Sequence, residues 1–556
     1  MKLCLFALFL LGFVSTVTTP PSFAAEKDPV RVEQGLLSGV PGTNADVRVY
    51  RGIPYAAPPV GDLRWKPPQP PAAWQGVRDA GKFGATCWQV PYPPAAAIFQ
   101  NDISSMSEDC LQLNLWTPAK SANDRLPVMV WIHGGGLTRG SSTTPMYDGE
   151  NLARKGAVVV TLNYRLGIFG FFAHPELTAE SPHHASGNYG LLDQIAALQW
   201  VKKNIAAFGG DPNRVTIFGE SAGSWSVCAL TASPLAKGLF ARAIGESGGL
   251  FSPMLTQERA EKEGERIAAT LGANTATASG VTTAAAPSAA TAGPSNPSSA
   301  AQGATKDVLK ALRAMPAEEL AKTNPDTARA NVDGWFLPQD VYSTFAQGKQ
   351  NDVPLLVGNN ADEGTIFAPP AGFLTAAVFS AGGRQRFGDL AGQFLKIYPA
   401  GSDQEALASY LASFRDLTFG WEMRTWARMQ VKTGHHPVYR YYFTRRPPGR
   451  QSARLGAFHA SEIPYVFGNF VWPFPWEDVD HKLSDAMSSY WVNFAATGNP
   501  NAKGLPGWPA YDPEKDAVME LGDQVAVGSH FNKAGLDFYD AYFQARMKPQ
   551  AAGSGK

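Results

Sequence analysis

Four short, unbroken apolar runs punctuate the chain, and each stops at residues that favour a turn. Leu126–Ile132 ends at a glycine run, Ala157–Leu162 at Asn163, Val215–Phe218 at Gly219, and Leu355–Val357 at Gly358. A strand with one solvated face alternates apolar and polar residues, so runs apolar at every position predict strands covered on both faces. Between the second and third runs, Leu191–Ile205 spaces its apolar residues three and four apart, which predicts a crossover helix. Parallel neighbours need such crossovers. The pattern therefore predicts an α/β fold with a large, mostly parallel central sheet, flanked by helices and carrying long insertions. Gly209, Gly210, Asp211 and Pro212 read as a break before the third strand. Residues 261–271 and 306–320 look helical. Between them, 274–305 is almost wholly Ala, Ser, Thr, Gly and Pro, with few large side chains to bury. That tract reads as a surface insertion within one domain spanning 26–556, not as a domain boundary.

Composition removes several classes of partner. Lys plus Arg and Asp plus Glu number 48 each, and no long basic block appears. Nucleic acid and an anionic membrane are therefore not expected as main partners. Residues 1–25 read as a secretory signal peptide: Lys2, an apolar run Leu3–Val14, then Ser22, Phe23 and Ala24 as a small-x-small cleavage site. That run falls short of the roughly 20 residues needed to span a bilayer, so no membrane anchor is expected. Secretion or periplasmic export from a bacterium is the expectation. It leaves Cys87, Cys110 and Cys228 in the mature chain. Cys87 and Cys110 flank a 22-residue loop and could join in an oxidising compartment. Closing such a loop is worth roughly 3 kcal/mol. Cys228, in an apolar stretch, reads as a buried free thiol.

The third apolar run leads into Gly219, Glu220, Ser221, Ala222 and Gly223, and then into a probable helix. A serine on a sharp strand-to-helix turn between glycines is a candidate nucleophile, with helix amides beside it. Acyl transfer by serine also needs oxyanion donors, a base and an acid that orients the base. His133, Gly134, Gly135 and Gly136 follow the first strand directly, and backbone amides in a glycine run can approach a substrate closely. Gly135, Gly136 and Ala222 are the expected oxyanion donors. The acid should follow a strand on the same sheet edge. Asp362 and Glu363 both qualify, and spacing does not choose between them. Among nine histidines, His459 is the best candidate base, because it sits in a loop before an apolar segment, whereas His183–His184 and His435–His436 read as solvated pairs. A second G-x-S-x-G, Gly245–Gly249, runs into a loop without oxyanion elements, so Ser247 is assigned a structural role.

Several blocks, taken together, resemble the type-B carboxylesterase family of cholinesterases, bile-salt lipases and para-nitrobenzyl esterases. They are Tyr50–Arg64, Ser107–Asn114, Asn163–Gly167, Asn188–Gln194 and Phe208–Pro212 with the serine turn behind it. The resemblance covers nearly the whole mature chain. It implies an α/β-hydrolase fold and a Ser221–Glu363–His459 triad, with an oxyanion hole at Gly135, Gly136 and Ala222. It also implies a Cys87–Cys110 disulfide and a supporting carboxylate at Glu220. The implied activity is ester hydrolysis through an acyl-enzyme, on a small-molecule ester, with no metal or organic cofactor. Cholinesterases carry a choline-binding tryptophan shortly before Met106, a stretch that here reads Phe99–Ser105, and the loop's only tryptophan is Trp88. Choline esters are thus not expected. Trp225, Trp472, Phe474 and Trp476, with Trp88, are candidates for a pocket suited to hydrophobic or aryl-bearing esters. An amide, carbamate or lactone substrate uses the same constellation, and a non-enzymatic binding protein on this fold would be expected to interrupt it.

Overall fold

The structure is a computed structural model that describes residues 29–92, 98–99, 102–272, 308–323 and 328–547. The expected signal peptide and the 274–305 tract lie outside these residues. An eleven-stranded sheet organises the chain. In chain order its strands are β1 (Val40–Pro41), β2 (Arg48–Pro54), β3 (Gln112–Thr117), β4 (Leu126–Ile132), β5 (Val158–Leu162), β6 (Gly210–Glu220), β7 (Arg242–Glu246), β8 (Leu355–Asn360), β9 (Val438–Phe443), β10 (Ala517–Leu521) and β11 (Val525–Ser529). Across the sheet they run β11-β10-β9-β8-β7-β6-β4-β5-β3-β2-β1. The seven from β10 to β5 are mutually parallel, while β11 and the β3-β2-β1 edge are antiparallel.

The unbroken apolar runs follow from cover on both faces. Val128, Val130 and Ile132 of β4 enter one core, with Val215 and Ile217 of β6 and Leu355 and Val357 of β8. Their alternates Met129, Trp131, Phe218 and Leu356 enter the opposite core. Helices supply that cover: α1 (Tyr189–Asn204), α2 (Ala222–Ala232), α3 (Asp403–Arg415), α4 (Trp421–Thr433) and α5 (Asp478–Thr497). Helix α1 links β5 to β6, as the periodicity predicts. Among the described residues, no helix is long and apolar enough to cross a membrane.

Two boundaries differ from the expectation, each for a physical reason. Strand β6 starts at Gly210, not Val215: Gly210 pairs with Leu126, and the register shifts before Val215 pairs with Val128. The break read over Gly209–Pro212 holds at Gly209 alone, which closes the preceding turn at φ 77°, while Gly210, Asp211 and Pro212 belong to the strand. The helix read across 306–320 is two, Val308–Ala314 and Ala317–Ala321, because Pro316 disfavours helical backbone at the residue before it. The run before the second G-x-S-x-G is strand β7, which places Ser247 at the sheet's carboxyl edge beside Ser221.

Candidate active site

Strand β6 hands the chain to helix α2 through a single residue. Ser221 has φ 55° and ψ −121°, and Ala222 is already the first helical position. A side chain at such angles costs of order 1–3 kcal/mol and persists only where its surroundings hold it. Two contacts do so here. The Ser221 amide donates to the Glu246 carbonyl at the end of β7 (2.8 Å). Gly223 packs so tightly on β4 that a Cβ there would overlap the Ile132 carbonyl oxygen. That is why the turn needs glycine at this position.

The glycine run after β4 closes over the same spot. A Cβ built on Gly134 lies 3.2 Å from the Ser221 Cβ, so the loop lies directly against the serine. Gly135 and Gly136 have φ of 105° and 66°. The amides of Gly135, Gly136 and Ala222 make no hydrogen bond among the described residues. An unpaired backbone donor is unusual and costly unless solvent or a ligand meets it. His133 anchors the loop from behind, stacked on Tyr164 at 4.5 Å between ring centroids. The Tyr164 hydroxyl donates to the His133 carbonyl (2.9 Å). Burial pulls the imidazole down to about 4, so His133 is a neutral prop at neutral pH.

Glu363 and Asp362, equal candidates by spacing, have separate roles. Glu363 Oε2 lies 2.6 Å from His459 Nδ1, and its Oε1 accepts from the Asn360 amide (2.7 Å) and the Ser247 hydroxyl (2.6 Å). Asp362 instead accepts from the Ala457 amide (2.9 Å), tying down the loop that carries His459. The imidazole packs against Phe419 and Phe367, with centroids 4.6 and 5.4 Å away. Its other nitrogen, Nε2, stands 3.1 Å from Glu220 Oε1. The Ser221 hydroxyl makes no hydrogen bond among the described residues, so Nε2 here faces the side chain next to the serine.

Three further carboxyl groups crowd the sheet edge. Burial raises Glu220 well above the ordinary carboxylate range, and Glu363 and Glu246 add to the shift. Burial also pushes Glu246 up to about 8, opposed by the indole of Trp491, which donates to it (2.8 Å). Glu462 is raised well above its ordinary value by burial first, and then by Glu220, Glu363 and Glu246. The Asn360 side-chain amide donates to it (2.5 Å). Like charges packed this closely cannot all ionise at neutral pH. Among the described residues no group of His, Cys, Asp and Glu is arranged to hold a metal.

This assembly has relatives of known kind. The model of the Carboxylesterase family matches residues 26–539. The chain belongs to that family. It is 39% identical over 543 residues to a fumonisin B1 esterase of Sphingopyxis macrogoltabida, covering 94% of this chain and 91% of the relative. It is 36% identical over 510 residues to a para-nitrobenzyl esterase of Bacillus subtilis (strain 168), covering 90% and 95%. Among solved structures, a PNB esterase superposes with a TM-score of 0.76 at 34% identity, covering 92% of this chain and 99% of that one. The protein is thus a serine carboxylesterase, which hydrolyses carboxylic esters through an acyl-enzyme.

Other residues of this carboxylesterase fall into place around the constellation. Cys87 and Cys110 are joined as a disulfide, and Cys228 is free and buried. Trp472 touches both Phe458, the neighbour of His459 (5.4 Å), and Phe99 of the disulfide loop (5.9 Å). Its indole donates to the Ile98 carbonyl (3.1 Å), which ties it to that loop. Phe474 lies beyond it (5.9 Å), and Trp476 packs outward on Tyr465 and Phe470. Trp225 is one helical turn after the nucleophile candidate, with its amide on the Ser221 carbonyl (2.9 Å). Trp88 lines a small separate cavity with Arg64, Glu108 and Arg165. Residue-by-residue reading overlooked Glu246 and Glu462, because nothing in their local sequence sets a buried carboxyl apart from an exposed one.

Proposed function

We propose that Ser221, Glu363 and His459 form the triad of this carboxylesterase, with the amides of Gly135, Gly136 and Ala222 as its oxyanion hole. The strongest support is that these three donors, without a partner among the described residues, lie on the loop and turn that flank a serine held at strained backbone angles. Glu363 accepts the Nδ1 proton and thereby fixes the imidazole tautomer, leaving Nε2 as the base. A small rotation that keeps the Nδ1 bond takes Nε2 from Glu220 to the adjacent Ser221. The hydroxyl then gives its proton to His459 as Oγ attacks the ester carbonyl. The three amides hold the oxyanion, each donor contributing about 2.7–4 kcal/mol to the transition state. Protonated His459 passes its proton to the departing alcohol, and water activated by the same ring releases the acid. Glu220, facing Nε2, supports the imidazolium while it exists. The aromatic wall of Phe99, Phe458 and Trp472 favours a hydrophobic or aryl-bearing ester, as does the relative named for para-nitrobenzyl esters.

We further infer that the protein is exported and works in periplasm or medium as one catalytic domain, a reading supported by the leader pattern of residues 1–25 and by the Cys87–Cys110 pair. A fluorophosphonate probe tests the nucleophile: it labels Ser221 alone, and Ser221→Ala abolishes both labelling and ester hydrolysis. Labelling of Ser247, or undiminished turnover by the folded variant, refutes the assignment.

A further inference from the structure

Among the described residues, one cation stands at this site without a counter-charge. Arg139 lies four residues past Gly135 on the oxyanion loop, and its amide closes that turn on the Gly135 carbonyl (3.0 Å). Its guanidinium is half-buried and held on one side only. Nε donates to the Pro91 carbonyl (3.2 Å), and one terminal nitrogen donates to the Thr138 hydroxyl (3.2 Å). The group sits over the Tyr92 ring, 5.6 Å from its centroid. Among the described residues the other terminal nitrogen has no partner, and no carboxylate pairs with Arg139. The phenol beneath it reaches the centre of the site: a Cβ on Gly135 would lie 2.9 Å from the Tyr92 oxygen. Tyr92 also responds electrostatically to both Glu220 and Arg139. The segment is rigid, because Gln89 clamps the amide and the carbonyl of Gly140 (2.9 Å each).

We propose that Arg139 is a specificity-determining residue, whose free guanidinium edge receives a carboxylate borne by the substrate near its scissile ester. This rests on the reading of Ser221 as nucleophile beneath that loop and narrows the substrate class to anionic esters. Arginine suits this role because it is always charged, its planar fork matches a carboxylate, and two of its donors already fix its orientation. An anionic substrate also needs such a group here. The buried carboxyl groups of Glu220, Glu246, Glu363 and Glu462 already keep one another from ionising together, so whatever negative charge remains there opposes an anionic substrate, and a cation on the rim offsets that repulsion. The carboxylate belongs to either the acyl or the alcohol part, and both place the same group on the same donors.

The test uses the full-length enzyme and two pairs of aryl esters matched except for charge. Mono(4-nitrophenyl) glutarate is compared with its methyl-capped diester, and 4-carboxyphenyl butyrate with the 4-carbamoyl analogue. The ratio of kcat/KM within each pair, divided by the ratio of the uncatalysed rates, is the readout. The wild type is expected to favour the anionic member of one pair by about tenfold, the scale of a hydrogen bond to a charged group. The preference falls as salt is raised, since the group is partly exposed. Arg139→Gln abolishes it while neutral esters turn over at a similar rate; Arg139→Lys keeps part of it; Arg139→Glu reverses it. The responsive pair tells whether the charge sits on the acyl or the alcohol side. An Arg139→Gln variant that slows both members of each pair equally makes Arg139 only a brace for the disulfide loop and overturns the proposal. So does a wild type that hydrolyses neutral esters with no charge preference, which leaves the esterase assignment standing. Failure to hydrolyse any of the four esters sinks that assignment and the subsite together.

Discussion

Removing the Ser247 hydroxyl isolates the support behind the acid. Glu363 Oε1 accepts two hydrogen bonds, from Ser247 (2.6 Å) and from the Asn360 amide (2.7 Å), both fully buried. Ser247→Ala leaves the amide alone to fix that oxygen. A hydrogen bond to a charged group is worth about 1.5–3 kcal/mol, and the low dielectric of the site places it toward the upper end. The loss loosens the orientation of Glu363, and through it that of His459, in every state, and it matters most when the imidazole is charged. The expected result is a kcat lowered about 10–100-fold with KM within about twofold, since binding groups are untouched. Ser247 also sits at φ 53°, so a backbone effect must be separated from a hydroxyl effect. Ser247→Gly relaxes the backbone and removes the same bond, so the two variants should lose similar activity. Release of 4-nitrophenol, normalised to sites titrated with a fluorophosphonate, measures this without interference from unfolded protein. If Ser247→Ala turns over within a factor of two of wild type, the hydroxyl does not position Glu363.

Three other outcomes follow from the same geometry. Gly135→Ala places a Cβ against the Arg139 carbonyl and the Tyr92 hydroxyl at a φ that side chains avoid. It should cost about 10²–10³ in kcat with little change in KM, because it displaces an oxyanion donor. Glu246, at about 8 in the folded chain against an ordinary 4.5, is held neutral by burial. The folded state therefore binds its proton more tightly than the unfolded chain does. That contribution is full below pH 4.5 and is lost as pH rises to 8, by up to about 5 kcal/mol. Glu246→Gln should flatten the urea-midpoint profile across that window, and an unchanged slope refutes the assignment. Replacing both Cys87 and Cys110 by serine should lower stability by about 3 kcal/mol. It should also raise KM for aryl esters, since Phe99 of that loop touches Trp472.

The sheet was legible because its strands are apolar on both faces, a pattern with few other homes in a chain this long. Its limits lie where pairing outweighs composition. Asp211–Arg214 extend β6 because Gly210 pairs with Leu126, although nothing apolar marks them. The serine turn and glycine loop could be read locally, since each chemical role there depends on neighbours two or three residues away. Glu363 could be separated from Asp362 only by resemblance or by structure, because the choice depends on a histidine 96 residues further on. The place of Glu220 beside the imidazole likewise came from the resemblance and not from local sequence, for the same reason. The Trp472–Trp476 aromatic cluster shows the opposite failure: one composition signal covered residues that divide between contact with Phe458 and the disulfide loop and packing behind them.

Strand β7 accounts for the second serine motif, which mimics the first without sharing its chemistry. Both G-x-S-x-G turns end neighbouring parallel strands, and both serines sit at positive φ, 55° and 53°. The two turns are stitched in sequence: the Ser221 amide donates to the Glu246 carbonyl, and the Ser247 amide donates to the Gly358 carbonyl of β8 (2.8 Å each). The end of β7 thus grips the nucleophile turn with its carbonyl and the acid with its hydroxyl. A shift of β7 along its axis would move Ser221 and Glu363 together rather than apart. That arrangement holds the two at a set spacing, within the roughly 0.5 Å that a productive site tolerates. The loop carrying His459 is tied at its backbone as well, by Asp362 on the Ala457 amide (2.9 Å) and by the Asn360 side chain on the Phe458 carbonyl (2.8 Å), so what turns between Glu220 and Ser221 in the proposed cycle is the imidazole alone.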